Sequence, residues 1–135
     1  PVDEFHIGGR VATESLFENI DITPDDHVLD VGCGLGGASR FVAKQYGCRV
    51  TGVDLTSEFV ETGNELCAWV GLDEQVTLEQ GNAMELTYSN GIFDKAYMLD
   101  VGMNIIDKQL LIAELYRILK PGGILAIYVD PRGSD

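Results

Sequence analysis

Asp30, the glycines that follow it and Asp54 are the residues whose types and spacing could do chemistry. Asp30-Val31-Gly32-Cys33-Gly34-Leu35-Gly36-Gly37 closes an apolar run and opens a helical one. Glycine is required where a chain turns sharply and lets a ligand rest on its backbone, and the free amides of a helix start face that ligand. Asp54 stands 22 positions after Gly32, at the end of the next strand-like run. A carboxylate there can accept hydrogen bonds from both hydroxyls of a ribose. The chemistry is recognition of a nucleoside-containing ligand. Gly32, Gly34 and Gly37 satisfy the literal G-x-G-x-x-G of a dinucleotide site, so an NAD(P)-dependent oxidoreductase is one reading. Asp30 opposes a pyrophosphate and suits a ligand that carries an ammonium group.

The elements that must position these residues follow from periodicity. Thr13 caps a first helix whose Leu16, Phe17 and Ile20 share a face, and Thr23-Pro24-Asp25-Asp26 is a turn. His27 to Val31 suits a buried strand. A helix from about Gly37 ends at Gly47, and Arg49 to Asp54 is the second strand. Phe59, Val60, Gly63, Leu66, Cys67 and Val70 recur at helical spacing, with Glu58 and Glu61 in the first turn, and Gly71 closes that helix. Val76 to Glu79, Phe93 to Leu99, and Gly122 or Gly123 to Val129 are three further strands. Asp107 caps a helix with Leu111, Leu115 and Ile118 inward, and Lys120-Pro121-Gly122-Gly123 stops it. This alternation predicts an α/β fold, a doubly wound, mostly parallel sheet with helices on both faces.

Composition narrows the partners. The 135 residues carry 22 acidic and 9 basic side chains, a net charge of −13, and no two basic residues are adjacent. Such a chain repels nucleic acid and anionic membranes. Its apolar runs, such as Ile124 to Val129, are far shorter than a membrane span. Cys33, Cys48 and Cys67 show no C-x-x-C spacing, so no metal site is expected and reduced thiols in a cytoplasm are. Cys33 is read as a small space-filler within the glycine loop, and Asp94 as a structural acceptor.

Taken together, Val28-Leu29-Asp30-Val31-Gly32-Cys33-Gly34-Leu35-Gly36, Val50-Thr51-Gly52-Val53-Asp54-Leu55, Gly81-Asn82-Ala83-Met84-Glu85-Leu86, Phe93-Asp94-Lys95-Ala96 and Leu119-Lys120-Pro121-Gly122-Gly123 resemble the class I S-adenosylmethionine-dependent methyltransferases. His6-Ile7-Gly8-Gly9 with Ala12-Thr13, and Gly102-Met103-Asn104-Ile105, are similar to the small-molecule branch that includes glycine, sarcosine and phosphoethanolamine methyltransferases. The resemblance implies a Rossmann-like core with strand order 3-2-1-4-5 and methyl transfer from S-adenosylmethionine to a small-molecule acceptor, without a metal.

Carried onto this chain, the resemblance implies that Gly32 and Gly34 bring backbone to the methionine part of the cofactor while Asp30 orients its ammonium, often through water, and that Cys33 and Gly36 belong to the same cofactor-binding loop. Asp54 would hold the ribose, Leu55 would pack on the adenine, and Leu99 would offer its carbonyl to the ammonium. The family has aspartate where Asn82 stands. An amide oxygen still accepts the bond from the adenine amino group, without charge, so weaker binding is expected, with the backbone of Ala83 against the ring. Asn82 could instead simply make an Asx-turn. Asp100 and His6 are the substrate-side candidates, by position after the fourth strand and within the N-terminal segment. Leu99-Asp100-Val101-Gly102 lacks the Asp/Asn-Pro-Pro-aromatic signature of nucleic-acid amino-methylating relatives.

Residues 1–135 are expected to form one cofactor-binding domain, with 1–25 as a lid segment and 26–130 as the core. The C-terminal antiparallel strand pair of relatives has no counterpart before Asp135. That predicts either a chain cut from a longer protein or a homodimer through the open edge of the fifth strand. A non-catalytic cofactor-binding module that needs a partner is the alternative reading.

Overall fold

The computed structural model describes residues 20–100 and 103–129, the side chains of Asp100 and Val129 excepted. Five strands, β1 (His27–Val31), β2 (Arg49–Asp54), β3 (Val76–Gln80), β4 (Phe93–Asp100) and β5 (Leu119–Val129), form one sheet in the order β3-β2-β1-β4-β5. All four pairings are parallel. Three helices, α1 (Gly37–Tyr46), α2 (Ser57–Trp69) and α3 (Ile105–Ile118), connect them. The expected class and strand order are those observed. The helix proposed after Thr13 lies outside the described residues, apart from Ile20, which is buried.

Alternation along each strand sorts the core into two layers. Val28, Val50, Val76 and Leu78 pack with Val42 and Ala43 of α1 and Val60 and Cys67 of α2. Leu29, Val31, Val53, Ala96 and Met98 pack on the opposite face with Leu111, Leu115 and Ile118 of α3. The cysteines are free and buried. Asp94 accepts from the His27 amide at 2.8 Å and pairs with Lys120 at 3.1 Å, at the amino end of the sheet, which is a structural role.

Two boundaries differ from expectation. The cap of α3 is Asn104 rather than Asp107: Asn104 Oδ1 accepts from the Asp107 amide at 2.8 Å, so Asp107 lies in the first turn and Ile105 and Ile106 are helical. β5 begins at Leu119, before the Pro-Gly-Gly. Leu119 already pairs with Phe93, and the four residues Lys120–Gly123 bulge opposite Asp94 before pairing resumes at Lys95 and Ile124. Between β3 and β4 there are only turns, clamped to α3 by one ion pair. Glu114 accepts from the Leu86 amide at 2.6 Å, and Arg117 donates to the carbonyls of Tyr88 at 2.7 Å and Leu86 at 3.0 Å.

Edge strand β3 is protected by a side chain. Asn64 of α2 donates from Nδ2 to the Leu78 carbonyl at 2.9 Å and accepts from the Leu78 amide at 3.0 Å. Its amide takes the place of a neighbouring strand. Asn64→Ala is expected to lower stability by about 1 kcal/mol, because both Leu78 backbone groups lose protein partners while water partly replaces them. Urea midpoints would show the loss, and light scattering would show increased self-association; an unchanged midpoint contradicts the assignment.

Candidate functional site

The carboxyl ends of β1 and β2 carry the glycine loop and Asp54. The Gly32 and Cys33 amides both donate to the Val53 carbonyl, at 2.8 and 3.1 Å, which folds the loop over the end of β2. Gly34 (φ +55°) and Gly36 (φ +85°) occupy the left-handed region that L side chains rarely adopt. At Gly36 space is restrictive too, since a Cβ would lie 2.7 Å from Leu78 Cδ1. At Gly32 and Gly34 a Cβ would meet nothing within 4 Å, so bare backbone faces open space.

Asp54 is fixed by backbone amides. Its Oδ2 accepts from the Gly34 amide and its Oδ1 from the Thr56 amide, both at 2.9 Å. A carboxylate has roughly four acceptor positions. Two amides therefore set its orientation while acceptor capacity remains on each oxygen. The carboxylate is hydrogen-bonded to the open backbone at Gly34, and Asp54 directly precedes Leu55, whose side chain is 68% exposed. Gln80, at the end of β3, donates to the Leu55 carbonyl at 3.2 Å and holds that segment.

Asp30 lies beneath the loop, 4% exposed. Its Oδ2 accepts from Ser39 of α1 and Tyr97 of β4, both at 2.7 Å. Burial pushes its carboxyl up to about 6; the two hydroxyl donors oppose the rise and the Asp54 charge adds to it. Cys33 is buried, and desolvation followed by the charges of Asp30 and Asp54 pushes its thiol up to about 12. It is a space-filler: a Cβ at Gly52 would lie 2.7 Å from Cys33 Cβ, so the missing side chain at 52 makes its room.

The loop is held from the other side by α2. Arg40 Nη1 donates to the carbonyls of Leu35 at 2.7 Å and Gly63 at 3.3 Å. At Gly63 the helix comes so close that a Cβ would lie 2.6 Å from the Leu35 carbonyl oxygen and 2.4 Å from Leu78 Cδ1.

The remaining candidates are distributed as follows. Asn82 makes an Asx-turn, its Oδ1 accepting from the Met84 amide at 3.0 Å. Ala83, half-buried, packs against the core layer under α3. Leu99, also half-buried, is the penultimate residue of β4 and pairs with Tyr128 of β5. His6 lies outside the described residues. Ser39, Tyr97, Arg40, Gly63 and Gln80 were not singled out from sequence. Tyr97 carried a usable signal, since a tyrosine within the apolar stretch Ala96–Leu99 of β4 needs a partner for its hydroxyl. The others depend on contacts between distant segments.

A family model described as "Methyltransferase domain" matches residues 28–123. The chain belongs to this methyltransferase family. That match decides between the two ligand classes that the glycine spacing leaves open. Among methyltransferase relatives, the sterol 24-C-methyltransferase of Eremothecium gossypii is 37% identical over 113 residues, covering 84% of this chain and 30% of that protein. The glycine/sarcosine/dimethylglycine N-methyltransferase of Actinopolyspora halophila, from the branch anticipated above, is 29% identical across 100% of this chain and 24% of its own length. The crystal structure of geranyl diphosphate C-methyltransferase from Streptomyces coelicolor A3(2), in complex with Mg2+, geranyl diphosphate and S-adenosyl-L-homocysteine, superposes with a TM-score of 0.82 at 25% identity, covering 95% of this chain and 49% of that one. The methyltransferase chain described here thus spans half or less of the length of these proteins.

Proposed function

We propose that this chain binds S-adenosylmethionine and forms the cofactor-holding part of an enzyme that methylates a small-molecule acceptor. The observation that carries the reading is the Asp54 carboxylate, pinned by the Gly34 and Thr56 amides beside open glycine backbone. Two oxygens with remaining acceptor capacity suit a ribose diol, and exposed Leu55 suits an adenine face. Leu99 and Asp30 are assigned to the ammonium group, and Ala83 and Asn82 to the adenine; in support, the Asx-turn of Asn82 leaves its oxygen one acceptor position.

When bound, the cofactor supplies an activated sulfonium methyl. The residues of this chain then contribute alignment and exclusion of water rather than bond activation. Asp54 and Leu55 set the position of the nucleoside, and the open glycine backbone with Asp30 sets that of the aminoacyl end. The relatives named above act, by their names, at carbon and at nitrogen. The core they share with this chain is accordingly assigned to cofactor binding, and Asp100 and His6 are proposed to lie on the acceptor side.

Isothermal titration with S-adenosylhomocysteine tests the reading. Binding in the micromolar range, with no heat from NADH under the same conditions, is the expected result. A flat titration with S-adenosylhomocysteine, on protein whose circular dichroism shows it folded, would overturn the reading.

A further inference from the structure

The parallel register places Leu78, Gly52, Asp30 and Tyr97 in one row across four strands, on the face covered by α1 and α2. Asp30 is the only acid in that row. Its Oδ2 is taken by the hydroxyls of Ser39 and Tyr97, each at 2.7 Å. No described residue donates to Oδ1. Yet among the described residues no fully buried side-chain oxygen lacks a partner, so Oδ1 is not fully enclosed. A buried carboxylate is thus oriented through one oxygen by two neutral donors, while its second oxygen takes no donor from the described residues.

Two hydroxyls are a particular choice of support. An arginine or lysine would keep the carboxylate ionised at all accessible pH values. The groups acting on Asp30 are Ser39 from α1, Tyr97 from β4 and Asp54 from β2, with the Cys33 thiol beside it on the loop; none is a cation. Burial and the Asp54 charge therefore let Asp30 hold a proton easily, and a ligand that brings its own positive charge favours the ionised form.

We propose that Ser39 and Tyr97 are positioning residues that make Asp30 a proton-linked acceptor, so that a ligand carrying an ammonium group binds with release of the Asp30 proton to solvent. The inference rests on the cofactor reading above. It adds that the aminoacyl end is recognised by an acid that is partly neutral until the ligand arrives. Because burial sets the Asp30 carboxyl near 6, affinity for an ammonium ligand falls as pH drops below that value, by about tenfold per pH unit. It levels off above.

The test compares S-adenosylhomocysteine with 5′-methylthioadenosine, which has the nucleoside and thioether but no amino acid. Each is titrated calorimetrically at pH 5, 6, 7 and 8 in two buffers of different ionisation enthalpy, which counts protons released. Release is expected with S-adenosylhomocysteine near pH 6, vanishing by pH 8, and absent with methylthioadenosine. Tyr97→Phe removes one donor to the ionised form, so its release midpoint should move up by about one pH unit. Ser39→Ala should move it in the same direction, and serves if Tyr97→Phe does not fold.

Binding of S-adenosylhomocysteine without proton release at pH 6 overturns this inference alone. So does equal release with methylthioadenosine, or a midpoint unmoved in both variants. No binding at any pH, with the protein folded, overturns the cofactor reading as well.

Discussion

Asp54→Ala will weaken S-adenosylhomocysteine binding by at least about a hundredfold while the protein stays folded. Hydrogen bonds to a charged acceptor contribute about 1.5–3 kcal/mol each, so loss of two bonds to ribose hydroxyls removes at least about 3 kcal/mol of binding. The same substitution takes the acceptor from the Gly34 and Thr56 amides, each 2.9 Å from the carboxylate. Water can reach both groups, since Asp54 is only half-buried, so stability should change little. The loop loses its anchor, however, and binding suffers for both reasons. Asp54→Asn separates the effects. An amide has one acceptor oxygen and one donor nitrogen, and two backbone N–H groups face it. One of them must be left opposed to a donor. Its affinity is expected to fall between wild type and Asp54→Ala. Titration calorimetry reads the affinities and urea unfolding the stability; an Asp54→Ala affinity within threefold of wild type would remove Asp54 from the site.

The second large effect is at Gly63, where the sign is diagnostic. In a helix interior, glycine to alanine ordinarily stabilises by about 1 kcal/mol. Here the added Cβ would stand 2.6 Å from the Leu35 carbonyl oxygen and 2.4 Å from buried Leu78 Cδ1. Leu78 has little room to turn, and Leu35 O is backbone already held by Arg40 at 2.7 Å. Overpacking of this kind costs about 3 kcal/mol. The net expectation for Gly63→Ala is a loss of about 2 kcal/mol. The helix must also move away from the loop, which shifts Leu35 and weakens ligand binding several-fold beyond what the stability loss explains. Chemical denaturation and titration of the same preparation check both parts. A stabilised Gly63→Ala protein would show that the close approach of α2 to the loop does not exist in solution.

Much of the fold was legible because periodicity reports burial directly. His27–Val31, Arg49–Asp54 and Val76–Gln80 were found within one residue of their bounds, since each is an apolar run between turn residues. The misassigned boundaries have local competitors. Asn104 and Asp107 are both good caps three residues apart, and only the 2.8 Å bond from the Asp107 amide to Asn104 decides between them. At Lys120–Gly123 the sequence reads as a stop, correctly for α3. That β5 is already paired at Leu119 depends on Phe93, 26 positions away in sequence.

The candidate site divides along the same line. Sequence alone determined the glycine loop and the strand-end Asp54, because close approach to a ligand demands particular residue types at short, regular spacings; the methyltransferase family followed from the match over residues 28–123, since the glycine spacing fits two ligand classes. Tertiary structure alone decided how those residues are held. Asp54 is aimed by amides from two different loops, Asp30 shares its charge with hydroxyls from α1 and β4, and α2 touches the loop through a glycine. The physical reason is that such contacts join segments brought together only by parallel strand register and helix packing. Their energies depend on distances of a few ångströms, while the residues concerned, Ser39, Arg40, Gly63 and Tyr97, are of ordinary type for the elements in which they stand.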